Sequence, residues 1–217
     1  MKDFKIVWSA RSECGPNRKK NEDTIFPAIS GSSKPPFKAA VCDGLGGHVN
    51  GDVASKIAAD TLLEEITDLN QIITEANKNI LKYQDKNPSS LGMGTTMTAI
   101  SIDSDALMKI GHVGDSRCYV LSDRNLIKVT EDQNVPGYQN VLKQALGSNE
   151  KLNIQEVDFQ LQIGDVVFLC SDGLYNEVGE EYIKKKMQDG ISADTFVGEV
   201  LLLNPKDNVS AIVINVV

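Results

Sequence analysis

The 217-residue chain is 41% apolar and carries 30 acidic against 22 basic residues, a formal net charge of −8. That length suits one globular domain over residues 1–217 with a sizeable core, and the acidic balance argues against a general nucleic-acid or anionic-membrane surface while making cations natural small partners. Two histidines, His48 and His112, are too few for an imidazole-rich zinc or iron site, and Cys14, Cys42, Cys118 and Cys170 form no Cys-x-x-Cys pair and read as buried free thiols.

In chain order, residues 4–9 (FKIVWS) alternate apolar and polar and residues 37–42 (FKAAVC) form a short apolar run, so both are predicted strands, with a loop at GSSKPP (31–36). From Gly51 the period lengthens. Val53, Ala54, Ile57, Ala58, Leu62, Ile66 and Leu69 recur at three and four and predict one helix face; Ile72, Ala76, Ile80 and Tyr83 predict a second helix that KNPSS (86–90) ends. Four short strands at 95–102, 106–113, 116–121 and 125–130 are separated by Asp, Ser, Gly and Asn, the pattern of an antiparallel meander. Two further strands (154–161 and 165–170) precede helices near 179–188 and around Ala193 to Leu201, and NVSAIVINVV (208–217) predicts a last strand. The opening MKDFKIV lacks the apolar core of a signal peptide and no segment matches a membrane helix, so a cytoplasmic protein is expected.

Two stretches echo one another: AVCDGLG (40–46) and FLCSDGLYN (168–176) are apolar runs that end in Asp-Gly-Leu. Asp43 and Asp172 therefore stand at strand ends. A third acid, Asp115, lies in the tight link GDSR, a fourth, Asp207, leads into the final strand, and Glu22 and Asp23 follow the first. Any one Asp-Gly is ordinary turn chemistry. The repeated placement, without histidine or cysteine, suits hard cations such as Mg²⁺ or Mn²⁺; no segment has the spacing of an EF-hand, which argues against one structural Ca²⁺ loop. The glycines of GLGGHVNG match neither a P-loop nor a dinucleotide fingerprint. Arg18 carries a planar fork suited to two phosphate oxygens.

Taken together, Arg18-x-x-Asn21-Glu22-Asp23, Asp43-Gly44-Leu45-Gly46-Gly47-His48, Gly94-Thr95-Thr96, Gly114-Asp115-Ser116-Arg117, Ser171-Asp172-Gly173 and Asp207-Asn208 resemble the bacterial metal-dependent type 2C (PPM) protein serine/threonine phosphatases. The resemblance implies an α+β fold, a four-layer α-β-β-α sandwich of two antiparallel sheets flanked by helices. It implies two Mn²⁺ or Mg²⁺ ions bridged by Asp43, with the Gly44 carbonyl, Asp172 and Asp207 as ligands, Glu22 and Asp23 acting through waters, and Asp115 with Asp172 holding a third, weaker ion. Arg18 would bind phosphate. A metal-bridging hydroxide would attack phosphorus in line, with no phosphoenzyme, on phosphoserine or phosphothreonine proteins. The expected partners are substrates of a cognate serine/threonine kinase and the expected state is a monomer; the alternative is a weak or inactive phosphoprotein-binding regulator within a kinase/phosphatase switch. Two departures stand out. Leu45 occupies the position of a histidine in animal members, leaving the general acid unassigned. Gln133 stands where relatives carry a histidine, and only NVPGYQ (134–139) separates it from NVL, which implies a reduced or missing flap and weak third-ion binding. His48 matches the bacterial loop pattern and is expected to pack that loop.

Overall fold

The computed structural model describes residues 4–46, 49–148 and 150–217. The chain opens with β1 (Ile6–Glu13), β2 (Asp23–Phe26), β3 (Gly31–Ser33) and β4 (Phe37–Asp43), followed by α1 (Gly51–Asp60) and α2 (Leu69–Lys86). Next come β5 (Met97–Ile102), β6 (Leu107–Val113), β7 (Arg117–Ser122), β8 (Asn125–Lys128), β9 (Asn134–Val135), β10 (Tyr138–Leu142), β11 (Gln155–Gln160) and β12 (Val166–Cys170). Helices α3 (Asp172–Tyr175), α4 (Glu180–Gln188) and α5 (Ala193–Leu201) lead to β13 (Val209–Val216).

One sheet has the order β3-β1-β13-β12-β7-β8, the other β11-β6-β5-β4-β2, and the paired strands are antiparallel. Their facing sides interdigitate: Ile6, Leu169, Ile212 and Ile214 meet Val41, Ile100, Met108 and Ile110. On the outside of the second sheet, Ala40, Cys42 and Ala99 pack under Ala54, Ala58, Ile72 and Ile80 of α1 and α2. On the outside of the first, Tyr119, Phe168 and Val213 pack under Ile183 of α4 and Phe196 and Val200 of α5. This is the expected four-layer sandwich. Because both faces of each sheet are covered, central strands read as continuous apolar runs rather than alternating ones.

Helix ends follow local chemistry. Asp68 accepts from Gln71 N at 2.9 Å to start α2, and Glu180 and Glu181 open α4 while Lys185 and Lys186 close it. The predicted helix from Gly51 to Leu69 is in fact two elements. It stops at Asp60, passes through a 3₁₀ turn at Thr61–Leu63, and Leu69 begins α2. The Lys38 ammonium explains the break: it collects the Leu62, Glu64 and Ile66 carbonyls at 3.3, 3.4 and 2.6 Å, giving them a partner other than the helix.

The predicted meander is also corrected. β5 pairs with β6 and β7 with β8, but β6 and β7 belong to opposite sheets, so the Gly114–Ser116 link is a crossing between layers. Short β2 and β3 are additional to the predicted strands, and Asp172 begins a helical turn instead of ending a strand. Cys42, Cys118 and Cys170 are buried and free as expected, whereas Cys14 is exposed. His48 lies outside the described residues. Among those described, no helix is long and apolar enough to cross a membrane.

Candidate metal centre

Asp43 is the last residue of β4, and its backbone is held on both sides. Thr96 Oγ1 accepts from Asp43 N at 2.9 Å, Thr96 N donates to Asp43 O at 2.8 Å, and Thr95 Oγ1 donates to the same carbonyl at 2.9 Å. Gly44 follows with its N–H on Glu22 O at 3.1 Å. A Cβ there would run into the Gly51 carbonyl at the start of α1, so glycine is what lets loop and helix approach. Thr95 and Thr96 thus acquire a role that their motif alone did not reveal.

The other acids arrive from different directions. Asp23, first residue of β2, stands opposite Asp43 in register and accepts from Ser171 Oγ at 2.8 Å and Ser210 Oγ at 2.6 Å, two hydroxyls of the facing sheet. Asp172 faces the same cleft as Asp43 and raises its pKa, as Asp23 does from the neighbouring strand. Asp207 precedes β13, accepts from Asn208 N at 2.8 Å and takes Arg18 Nη2 at 2.5 Å. Asp115 sits in the crossing link, where Asn134 Nδ2 donates to its Oδ2 at 3.0 Å and Tyr175 Oη donates to its carbonyl at 3.1 Å. A cleft of about 670 Å³ gathers Arg18, Asp43, Asp115, Asp172 and Asp207, with Leu45, Val141, Leu142 and Lys206 also on its walls. Glu22 and Asp23 lie outside that lining: Asp23 is buried between the sheets and Glu22 faces Gly51 at the head of α1.

Packing so many carboxylates together has an electrostatic cost that the titration shifts record. Burial raises Asp43 well above the usual carboxylate range, and Asp23, Asp172, Asp115 and Asp207 push it further. Burial and its acidic neighbours carry Asp172 up to about 7. Burial carries Asp23 up to about 6 against the opposing hydrogen bonds from Ser210 and Ser171. Asp115 and Glu22 are raised chiefly by burial. For Arg18, burial works against the charge, but Asp207 outweighs it and holds the guanidinium more firmly protonated. A bound cation reverses the penalty on the carboxylates.

The donor set fits a hard cation. Every converging ligand is an oxygen. Among the described residues, Asp172 Oδ1 is the buried side-chain oxygen left without a hydrogen-bond partner, which marks an acceptor aimed at something other than protein. Also among the described residues, no three His, Cys, Asp or Glu side chains close around one point as a finished ligand set. The acids converge without closing, and Asp207 is engaged by Arg18.

The protein phosphatase 2C family model matches residues 16–200. The chain belongs to that family. It is 32% identical over 238 aligned positions to the serine/threonine phosphatase stp of Listeria monocytogenes, covering 94% of this chain and 93% of the relative. The alignment is longer than the chain, so the relative carries insertions this one lacks. The fold matches the crystal structure of the Mycobacterium tuberculosis serine/threonine phosphatase PstP/Ppp with a TM-score of 0.86 at 27% identity, over 97% of this chain and 98% of that one. It matches the catalytic domain of the serine/threonine protein phosphatase PstP in complex with two manganese ions equally well, TM-score 0.86 at 29% identity, over 99% of both chains. Membership makes the chain a metal-dependent protein serine/threonine phosphatase by class. In this type 2C phosphatase the described residues between β8 and β11 hold one strand pair, the β9–β10 hairpin, in keeping with the reduced flap.

Sequence reasoning missed the hydroxyls behind the acids. Ser171, Ser210, Thr95 and Thr96 fix Asp23 and Asp43, and Tyr175 and Asn134 fix Asp115. The available signal was that Thr95-Thr96 form a motif of their own and that Ser171 directly precedes Asp172; nothing local pointed to Ser210 or Asn134.

Proposed function

We propose that the chain hydrolyses phosphoserine and phosphothreonine on proteins, using two Mn²⁺ or Mg²⁺ ions. Asp43, the Gly44 carbonyl, Asp172 and Asp207 would hold the ions, and Glu22 and Asp23 would orient waters. Asp115 and Asp172 are the pair that a third, weaker ion would use. The observation that carries this reading is the convergence of Asp43 from one sheet with Asp172 and Asp207 from the other on one cleft, where Asp172 Oδ1 lacks a protein partner. The manganese-bearing PstP catalytic domain supports the two-ion count.

When bound, the ions supply an activated water as nucleophile and positive charge for the phosphate oxygens. The protein's part is placement. Arg18, on the rim and fully charged, offers its fork to the phosphate once Asp207 turns to its ligand role. Asp23, with two serine hydroxyls on its Oδ2, is held in a fixed orientation beside Asp43, its partner in register. No Cys, His or Ser is among the described residues lining the cleft, and the Cys42 thiol beneath it is buried with its ionisation strongly disfavoured. Thr96 and the carboxylates remain as nucleophilic groups on the cleft, and direct transfer to water without a phosphoenzyme is the course we infer from the two-ion reading. Leu45 lines the cleft where a histidine would serve as acid, so the leaving alkoxide takes its proton from solvent or from a water held by the acids.

We take the substrates to be phosphoproteins made by a partner serine/threonine kinase and met in the cytoplasm by a monomer with one catalytic domain over residues 1–217. The support is the family and its relatives named as serine/threonine phosphatases. The test is phosphate release from a phosphothreonine peptide during a Mn²⁺ titration against a chelated sample. Saturable, chelator-sensitive turnover is expected; none at any Mn²⁺ or Mg²⁺ level would overturn the reading in favour of a phosphoprotein-binding regulator.

A further inference from the structure

Three consecutive residues at the foot of the β9–β10 hairpin each grip the crossing between the sheets. Asp132 takes Arg117 at two points, Oδ2 2.6 Å from Nη2 and Oδ1 3.0 Å from Nε. Gln133 donates its N–H to Gly114 O at 2.9 Å and accepts from Gly114 N through Oε1 at 2.9 Å. Asn134 donates its side-chain amide to Asp115 Oδ2 at 3.0 Å. The strap is fixed from outside as well. Gln144 Nε2 donates to Gln133 Oε1 at 2.8 Å, the Arg117 guanidinium lies 3.6 Å over the Tyr175 ring, and the Tyr175 hydroxyl holds the Asp115 carbonyl. Asp115 is only 9% exposed, so its carboxylate has few alternatives to the partners the protein provides.

We propose that Asn134 is a metal-specificity residue: its side-chain amide competes with a third divalent ion for the Asp115 carboxylate, and the enzyme therefore works with two ions. The proposal rests on the metal reading given under the proposed function. The amide already occupies one acceptor position of Asp115 Oδ2, on the acid that an ion in the cleft would share with it. Hydrogen bonds to an ionised acceptor are among the stronger ones, so the competition weakens third-ion binding by about ten- to a hundredfold. The amide does not drift away when challenged, because Asp132 and Gln133 hold the preceding residues against Arg117 and Gly114. Being neutral, it satisfies Asp115 without adding positive charge to the cleft, so it does not weaken the attraction of Asp43, Asp172 and Asp207 for the first two ions. The short hairpin is what delivers this: Pro136-Gly137 turns the chain back at once, with Gly137 at φ +82°, leaving Asn134 at the base of the ribbon.

The experiment is calorimetric titration of the full chain with Mn²⁺. The wild type is expected to bind two ions, and Asn134→Ala to bind a third at least about tenfold more tightly than any third event in the wild type. Asn134→Asp, which exchanges a donor for a ligand, is expected to do so more strongly, and Asp115→Asn in the Asn134→Ala background to return the count to two. Three ions in the wild type with the affinity found for Asn134→Ala, or two in both, would overturn the proposal. No Mn²⁺ binding by the wild type would instead remove the metal reading on which it rests. A second measurement needs no variant. During a Mg²⁺ titration of ¹⁵N-labelled wild type, the Asn134 side-chain amide resonance is expected to keep its hydrogen-bonded shift while two equivalents bind; movement to a free-amide position would contradict the proposal.

Discussion

Asp43-Gly44-Leu45 and Asp172-Gly173-Leu174 are the same tripeptide after the same kind of strand, one in each sheet, yet the chain builds them differently. Asp43 ends its strand with its peptide groups tied to Thr95 and Thr96, and Asp23, Asp172, Asp115 and Asp207 all act on its carboxylate. Asp172 opens a helical turn, and Ser171 at the cap position spends its hydroxyl on Asp23 instead of on that turn. One oxygen of Asp172 is left without a partner. The two glycines differ in the same way: Gly44 clears the Gly51 carbonyl of α1, while Gly173 clears the Asn208 carbonyl beside β13. A shared local sequence places a carboxylate at a strand end; what surrounds it decides whether that carboxylate is central or terminal to the site.

The comparison breaks most visibly at the central acid. Asp43→Asn is expected to lower turnover by at least about a thousandfold, equivalent to several kcal/mol of lost charge stabilisation, and to abolish binding of both ions. Asp172→Asn is expected to lose only one, so calorimetric Mn²⁺ stoichiometry falls from two to one. Both variants should keep the wild-type circular dichroism spectrum, because each removes a repelling charge; unfolding of either would contradict this.

Next in size is pH dependence in chelator. Asp23, carried up to about 6, and Asp172, carried up to about 7, both have folded values above the unfolded carboxylate value. Stability is therefore fully present below about pH 4 with respect to these groups and declines as pH rises through about 6 to 7, where the folded protein must hold charges the unfolded chain bears more easily. Thermal melting between pH 4 and 8 should show that decline, and Mn²⁺ should flatten it. A flat profile in chelator would mean that the acids do not repel one another as the geometry requires.

Smaller effects separate the two glycines from a neutral control. Gly44→Ala and Gly173→Ala each force a Cβ into backbone and should cost about 1–3 kcal/mol in urea unfolding. Gly179→Ala, where a Cβ meets nothing within 4 Å, should shift stability by less than about 0.5 kcal/mol. Between these limits falls Thr96→Val, which leaves the Asp43 N–H and Ser116 Oγ without their shared hydroxyl and should cost about 1–2 kcal/mol, with Thr96→Ser restoring most of it.

Much of this was legible in the sequence for a physical reason. Apolar runs ending in Asp-Gly mark where buried strands emerge, so Asp43 and Asp172 could be placed at the exits of two strands, and Asp207 at the head of the last one, before their convergence was visible. What could not be read was which sheet each strand joins. β6 and β7 follow one another closely, yet Gly114, at φ +112° where a Cβ would strike the Thr96 side chain, turns the chain into the opposite layer. The helix from Gly51 looked too long because Leu62 and Ile66 continue the apolar period through a 3₁₀ turn, and the Lys38 contact that ends it comes from 24 residues away. Asn134 gave no signal at all, since its importance lies in a contact with Asp115 that the short hairpin creates.

The most direct test of two sheets sharing one metal centre is anomalous diffraction at the manganese edge from a Mn²⁺-soaked crystal. Two peaks in the cleft are expected, with the Asp43 carboxylate touching both and Asp172 and Asp207 on one of them, Arg18 having moved off Asp207. Peaks that leave Asp43 untouched, or none in the cleft at saturating Mn²⁺, would contradict it.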